Sequence, residues 1–422
     1  RSRVHERVDV IGIDASIIMH TKVWHASGHL AGFSDPLVDC LISKERFRAD
    51  KAPRPQTKDE LPIECADKGQ AKTYVEAIQK RFNIELKRNG KTLYGMKVID
   101  ENTMGFFPDD SDKPTETFPY RGYVSPTFGS PFLSDERQFN LMFRSQIGPI
   151  DVLGDITAYV ENNKELEGKE LRTGIEEIVK KSAVYLRPET AQAMFVQFLN
   201  CQQSMSMKVP FGIAQMGKSF RNEVTVEHFI FRSCEFEQME MEFFVEPGTQ
   251  KEWLDYWRDR RMEWWQKLAN DPSKFRYRAH EKDELAHYAD ACYDIEYEYP
   301  WGFDELEGVA SRTDYDLKKH SEHSGAKLSY FDQQKQDPET GKNGWRYTPY
   351  VIEPAAGVTR GLLVYLLRKF LHSERRTRSL TKFGAPERST GKLRKIRGEG
   401  GGTLVTDRGG SRGGTLVTNN FA

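Results

Sequence analysis

The segment FGIAQMGKSFRNEVTVEHFIFRSCEFEQMEMEFFV, residues 211–245, constrains the fold more than any other part of the chain. Residues 210–223 and 231–245 read as two strands joined by a loop, an antiparallel pair. Side chains alternate along a strand, so Phe236, Gln238, Glu240 and Glu242 share one face while Glu237, Met239, Met241 and Phe243 take the other. The methionine and phenylalanine face reads as core, which turns an aromatic ring and several polar groups toward a cleft. The same alternation sets Arg221 and Glu223 on one face about 7 Å apart, with Phe220 and Asn222 opposite. Carboxylates are rarely buried unpaired, so Glu235, Glu237, Glu240 and Glu242 require solvent or cations, and Arg221, Arg232 and a distant arginine are the candidates. A strand with a solvated charged face fits the same composition, and both readings stand at this point.

Around this pair, helices and further strands follow one another without strict βα alternation. Residues 8–19 (VDVIGIDASIIM) and 184–187 (VYLR) read as strands, and Pro188 is placed at the first position of a helix, PETAQAMFVQFLNC. Residues 249–270 set Trp253, Trp257, Met262 and Trp265 at helical spacing, as in an amphipathic helix packed on a core. The class expected is α+β, an antiparallel sheet flanked by helices. At 422 residues the chain has room for two or three domains of roughly 150 residues. The divisions expected are residues 1–43, an inserted subdomain at 44–136, residues 137–367, and a tail at 368–422. The tail holds 13 Lys/Arg against 4 Asp/Glu and repeats GGTLVT at 401–406 and 413–418, so disorder is expected. A basic arm that holds RNA through phosphate contacts and an out-of-frame or truncated translation both account for it.

With 38% hydrophobic and 30% charged residues, no apolar stretch approaches the roughly 20 residues of a membrane helix. The opening RSRVHERVDV lacks the apolar core of a signal peptide, and five scattered cysteines do not form a secreted disulfide framework, so a reducing cytoplasm is expected. Cys40 and Cys65 have no partner at zinc-ligand spacing. His20, His25 and His29 cluster near the start, where surface or hydrogen-bonding roles outweigh metal binding. No protein-held metal is assigned.

The joint spacing Phe-Arg-x-Glu, a loop, then Arg232, Phe236 and Glu240 resembles the second signature of class II aminoacyl-tRNA synthetases. VYLRPETAQAMF (184–195), SFRNE (219–223), EFEQMEMEFF (235–244), YPWGFDELEGVASRTDYDL (299–317) and EPAAGVTRG (353–361) are similar, in this order, to segments of glycyl-tRNA synthetases. GIDASIIMHTKVWHASGHLAGFSDPLVDC (12–40) and RQFNLMF (137–143) also resemble that family, and the resemblance runs from residue 4 to about 367. Thr21, Cys234 and Ala355 depart from it, standing where the family has a proline, an arginine and, in some members, a serine.

The resemblance implies a class II catalytic domain that joins glycine to tRNA-Gly through glycyl-adenylate, with ATP and Mg²⁺, commonly as a homodimer. By similarity Arg221 grips the α-phosphate and the glycine carboxylate, Glu223 meets the adenine amino group, Arg232 and Arg360 hold the γ-phosphate, and Phe236 stacks on adenine. Asn222, Phe231, Glu305, Leu306 and Gly357 complete the implied ATP surface. Glu189, Gln238, Glu240, Arg312 and Glu353 match the glycine pocket, joined by Phe236, Gly357 and, on the substrate side, Arg48. Arg221 and Arg360 are the implied catalytic residues. A core that adenylates glycine without efficient charging, and an inactive synthetase-like protein that binds RNA or a synthetase partner, remain alternatives.

Overall fold

The computed structural model describes residue 4 and residues 6–55, 60–107, 112–149, 151–269, 271–282 and 284–368. Its centre is a seven-stranded sheet of β1 (Val10–Ile13), β2 (Phe211–Phe220), β3 (Glu235–Val245), β4 (Phe275–Ala279), β5 (Ala291–Tyr299), β6 (Gly302–Thr313) and β7 (Tyr350–Gly357). The spatial order is β1-β2-β3-β7-β6-β5-β4. Only β1, beside β2, runs parallel to its neighbour; the other pairs are antiparallel. The antiparallel pair expected from the sequence is β2 and β3, which exchange a continuous ladder from Phe211↔Phe244 to Phe220↔Glu235.

The two faces of the sheet differ as the alternation of β3 requires. Met241, Phe243 and Val245 enter an apolar cluster with Leu254, Trp257, Met262 and Trp265 of helix α2 (Gln250–Leu268). On the other face, α1 (Ala191–Val196) and α3 (Tyr315–Ser324) help enclose a second cluster of Phe195, Phe211, Ile213, Phe244 and Leu317. The rest of that face stays open and carries the polar side chains described below.

Residues 61–132 build a core of their own from Leu61, Ile63, Ile78, Leu93, Met104, Phe106 and Phe132. Its helix, Lys68–Phe82, starts at Asp67, whose side chain accepts from the Gln70 N–H, and ends at Asn83 in the left-handed region. Ala71, Tyr74 and Ile78 recur at the three- and four-residue spacing of a buried stripe.

Three local expectations are corrected. Residues 8–19 form two strands, β1 and Ile18–His20, because the chain leaves the large sheet to pair with Ala183–Leu186. Arg187 pins this crossing through the Ala15 and Ile17 carbonyls. The helix after Pro188 begins only at Ala191 and is interrupted at Gln197, since the Arg187 N–H bonds Ile17 and the Thr190 N–H bonds Glu240 Oε2 at 2.7 Å. Donors already held by other elements favour a non-helical segment. The central strands are also shorter than 210–223 and 231–245: β2 stops at Phe220 and β3 starts at Glu235. Arg221, Asn222 and Glu223 therefore leave the ladder, with their N–H groups on Cys234, Leu141 and Arg221 carbonyls respectively. The tail from residue 369 lies outside the described residues.

Candidate active site

A cleft of about 300 Å³ lies on the open face of the sheet. Register places Phe236, Gln238 and Glu240 of β3 beside Glu353, Ala355 and Gly357 of β7, and these beside Gly308 and Ala310 of β6. The floor is thus small residues in the middle, with charged and aromatic groups at the edges. A methyl added at Gly308 would meet nothing nearer than 3.9 Å, so the room above it is open to a ligand.

Three arginines line one end: Arg221, Arg232 and Arg360. Arg221 lies between the rings of Phe33 (5.4 Å) and Phe236 (5.3 Å), and its Nε donates to the Pro188 carbonyl at 3.0 Å. Arg232 pairs with Glu223 at 3.3 Å and Glu227 at 3.4 Å. Its loop is braced by His228 stacked on Trp301, with ring centres 4.1 Å apart, and Trp301 stacked on Tyr299 at 4.8 Å. Arg360 sits 4.2 Å from the Phe231 ring centre and bonds the Phe231 carbonyl at 3.2 Å and Glu305 Oε2 at 3.0 Å. Burial opposes the charge on Glu305, but Arg360 outweighs it and holds the carboxyl below its ordinary range. Such planar, permanently charged forks suit phosphate oxygens.

The other end is acidic. Glu189, Glu240 and Glu353 converge there, each buried. Arg312, fully buried, clamps Asp316 with Nε at 2.9 Å and Nη2 at 3.2 Å, bonds Glu353 through Nη1, and lies 3.9 Å from Glu189. Its guanidinium also covers the Tyr288 ring at 3.9 Å. Glu189 accepts from Gln192 at 3.0 Å and faces His29 Nε2 at 3.4 Å. Burial acts against its charge, yet His29, Arg312 and Gln192 together lower it below the usual carboxylate range. Glu240 accepts from the Thr190 N–H and hydroxyl and from Gln238 Nε2 at 2.8 Å, while burial and the Glu189 charge push it up. A small pocket with more buried carboxylates than nearby cations is suited to an ammonium.

Most sequence-derived candidates meet in this cleft, Phe236, Gln238 and Glu240 by the alternation of β3 and the others by routes that alternation did not anticipate. Arg221 and Glu223 both line it from the turn beyond β2. Arg312 braces Glu353 from behind. Asn222 and Leu306 are not among the lining residues: Asn222 bonds Leu141, and Leu306 is in the core under the sheet. Arg48 is likewise outside the lining, held by Asp35 at 2.9 Å and Asp50 at 2.8 Å. Of the four carboxylates in β3, Glu235 pairs with Lys218, Glu237 is exposed, and Glu240 is hydrogen-bonded; Glu242 has no protein donor.

His29, Gln192, Tyr288 and Asp316 were missed, because each serves the pocket from a different segment of the chain and none lies in an alternating strand. Asp316 stands four residues after Arg312, but Arg312 lies in β6 and Asp316 in α3, so the pair closes across the strand-to-helix turn and no helical spacing marked it. His280, Cys292 and Asp294, on the far wall, bring one ligating atom each within 4.8 Å of one another. Asp294 Oδ2 is already engaged by His280 at 2.8 Å and Arg278 at 3.3 Å, and burial with the Asp294 charge raises the Cys292 thiol. This wall reads as an ion-paired support.

Residues 176–369 match the tRNA synthetase class II core domain (G, H, P, S and T). The glycine–tRNA ligase of Treponema denticola is 40% identical over 85% of this chain and 58% of its own length. That of Caldanaerobacter subterraneus is 39% identical over 86% and 63%, and that of Staphylococcus haemolyticus 41% over 84% and 61%. The chain therefore spans less than two thirds of these relatives. Over residues 176–369 it is thus similar to the class II tRNA synthetase core domain, and the relatives it resembles across most of its length are glycine–tRNA ligases.

Proposed function

We propose that this chain activates glycine with ATP to glycyl-adenylate and pyrophosphate and passes the glycyl group to the 3′ end of tRNA-Gly. The observation that carries the reading is the polarity of one cleft: buried Glu189, Glu240 and Glu353 at one end, and Arg221, Arg232 and Arg360 at the other. The acidic end suits the ammonium of a small zwitterion. Arg221, whose charge among the three arginines is felt by Glu240, suits both its carboxylate and an α-phosphate. Phe236 and the floor of Gly308, Ala355 and Gly357 leave a flat slot for the adenine ring.

The chemistry needs no protein nucleophile. A glycine carboxylate oxygen attacks the α-phosphorus, the bond to the bridging oxygen breaks, and pyrophosphate leaves. The terminal ribose hydroxyl of the tRNA then attacks the glycyl carbonyl and displaces AMP. The arginines contribute positive charge where negative charge grows on phosphate oxygens, and the pocket contributes position. Mg²⁺, when bound, would add neutralising charge, and the Glu305 carboxylate, held below its ordinary range beside Arg360, would be the oxygen donor to hold it. Glycine is selected by size, since a pocket closed around the α-carbon makes any side chain clash. Residues 44–136 are proposed as a subdomain near the tRNA acceptor end, and dimerisation belongs to the same reading. No helix among the described residues is long and apolar enough to cross a membrane.

The test is exchange of labelled pyrophosphate into ATP with glycine, alanine or serine. Exchange with glycine alone, lost in Arg221→Ala, is the expected result. Folded protein that exchanges with none of them overturns the reading.

A further inference from the structure

Glu242 has no part in the reaction above, yet it has no exposed surface, and neither of its oxygens meets a donor among the described residues. Register explains its surroundings. β3 and β7 pair Glu240 with Ala355 and Phe243 with Ile352, which sets Glu242 directly across from Glu353. Side chains so placed have Cβ atoms about 5 Å apart, and like charges there repel. On the other side β2 puts Ile213 opposite Glu242, within the apolar cluster of Phe211, Ile213 and Phe244. The nearby cation is committed elsewhere: Arg312 holds Asp316 with two nitrogens and Glu353 with the third. An ionised Glu242 would be a second buried negative charge with no donor of its own. A neutral carboxyl has a proton to give, and Glu353 is the acceptor in front of it.

We propose that Glu242 stays the neutral acid and donates its proton to Glu353, which makes it the positioning residue that keeps the Glu353 carboxylate ionised and aimed at the ammonium of the amino-acid substrate. The identity of that ammonium rests on the glycine reading; the protonation of Glu242 does not.

The electrostatics of the pocket agree with this arrangement. Burial and the facing Glu353 raise Glu242 well above the carboxylate range, with Glu240 and Asp316 adding to the rise and Arg312 opposing it. Burial pushes Glu353 up to about 7 against the pull of Arg312; Glu240 and Glu189 add to the rise, and the hydrogen bond from Glu242 restrains it. The other titratable groups around the pair include the Tyr288 phenol and the Cys292 thiol, both of which burial keeps protonated, His29 behind Glu189, and His320 behind Gln192, where burial lowers the imidazole. The sign follows. A docked ammonium favours the ionised form of Glu353, so below about pH 7 binding must release a proton, and affinity falls as the pH drops.

Two measurements on the full chain decide the matter. The first is infrared difference spectroscopy at about pH 8, without substrate, between wild type and Glu242→Gln. A protonated-carboxyl band that disappears in the variant is expected; its absence from the wild type overturns the proposal, whatever becomes of the glycine reading. The second is KM for glycine against pH in pyrophosphate exchange. Below the midpoint, KM rises about tenfold per unit in the wild type. Glu242→Leu, with no donor, moves the midpoint up by about one unit, the worth of one hydrogen bond to a charged group, with a smaller effect on kcat. Glu242→Gln keeps an N–H donor and restores the wild-type midpoint. A Leu variant with an unmoved midpoint, or a Gln variant whose midpoint moves down as loss of a negative charge would require, overturns the proposal. A wild type without glycine-dependent exchange removes the proposed function instead, and the infrared result still decides the charge of Glu242.

Discussion

Arg360 Nη1 lies 3.0 Å from both the Glu305 side-chain Oε2 and the Glu305 backbone carbonyl, so one residue holds the guanidinium twice. Its Nε is taken by the Phe231 carbonyl at 3.2 Å. The cation proposed to face the triphosphate is thus fixed before any ligand arrives, and fixed charge is worth more than mobile charge because it need not reorganise.

Replacing Arg360 with alanine should therefore lower kcat/KM for ATP by about 10²–10³-fold, the range for losing one aimed charge in a closed site. Arg360→Lys should recover little, since an ammonium cannot reach the Phe231 and Glu305 carbonyls and a phosphate together. Pyrophosphate exchange at varied ATP measures both. A loss below about threefold in the alanine variant would place Arg360 outside the phosphate site.

Gly308 offers a test of the floor of the cleft. It stands opposite Ala355 on β7 and Asp294 on β5, and an added Cβ would have its nearest neighbours at 3.9 Å. Gly308→Leu should fold, with Tm within about 3 °C of the wild type, and should lose ATP binding, because the new side chain occupies the proposed slot for adenine. Calorimetric titration with ATP reads the loss. Unchanged affinity would mean that the nucleotide lies elsewhere.

The sheet and its polarity were legible in the sequence because alternation is a local property: Met241 and Phe243 went into the core, and Phe236, Gln238 and Glu240 into the cleft. The ends of β2 and β3 were not, since they depend on where Leu141 and Cys234 present carbonyls to the residues after Phe220. Likewise Pro188 gives a sound local signal for a helix start, yet the Arg187 and Thr190 N–H groups are claimed by Ile17 and Glu240. The acidic pocket was legible only through family resemblance. Glu189, Arg312 and Glu353 are far apart in the chain, and their pairing with Asp316 and His29 is a product of the tertiary fold.

The opposite face of the sheet carries a buried ion pair under the site. Arg261 Nε meets Glu307 Oε1 at 2.7 Å, and Trp265 Nε1 donates to Glu307 Oε2 at 2.5 Å, with no exposed surface on Glu307. Removing one partner leaves the other charge buried, so Arg261→Ala should cost about 3–5 kcal/mol in urea unfolding. Arg261→Met combined with Glu307→Gln removes both charges and keeps an acceptor for Trp265, and should cost about 1 kcal/mol or less. Equal losses in the two variants would show that packing, not charge, dominates there.

The pH dependence of stability supplies an independent check on Glu242. An unfolded glutamate ionises near pH 4.3, whereas burial and Glu353 keep the folded Glu242 protonated well above that. Between those values the folded state binds more protons than the unfolded state, so this group makes stability fall as pH rises through the window and has no such effect below it. Glu242→Gln removes the titration and keeps the shape. Relative to the wild type, the variant should therefore gain about 1.4 kcal/mol per pH unit above about 4.3, up to the folded value. Urea unfolding at about pH 5 and about pH 7 compares the two chains directly. A difference between variant and wild type that stays constant across that range would mean that Glu242 is ionised in the folded protein, with its charge compensated by Arg312.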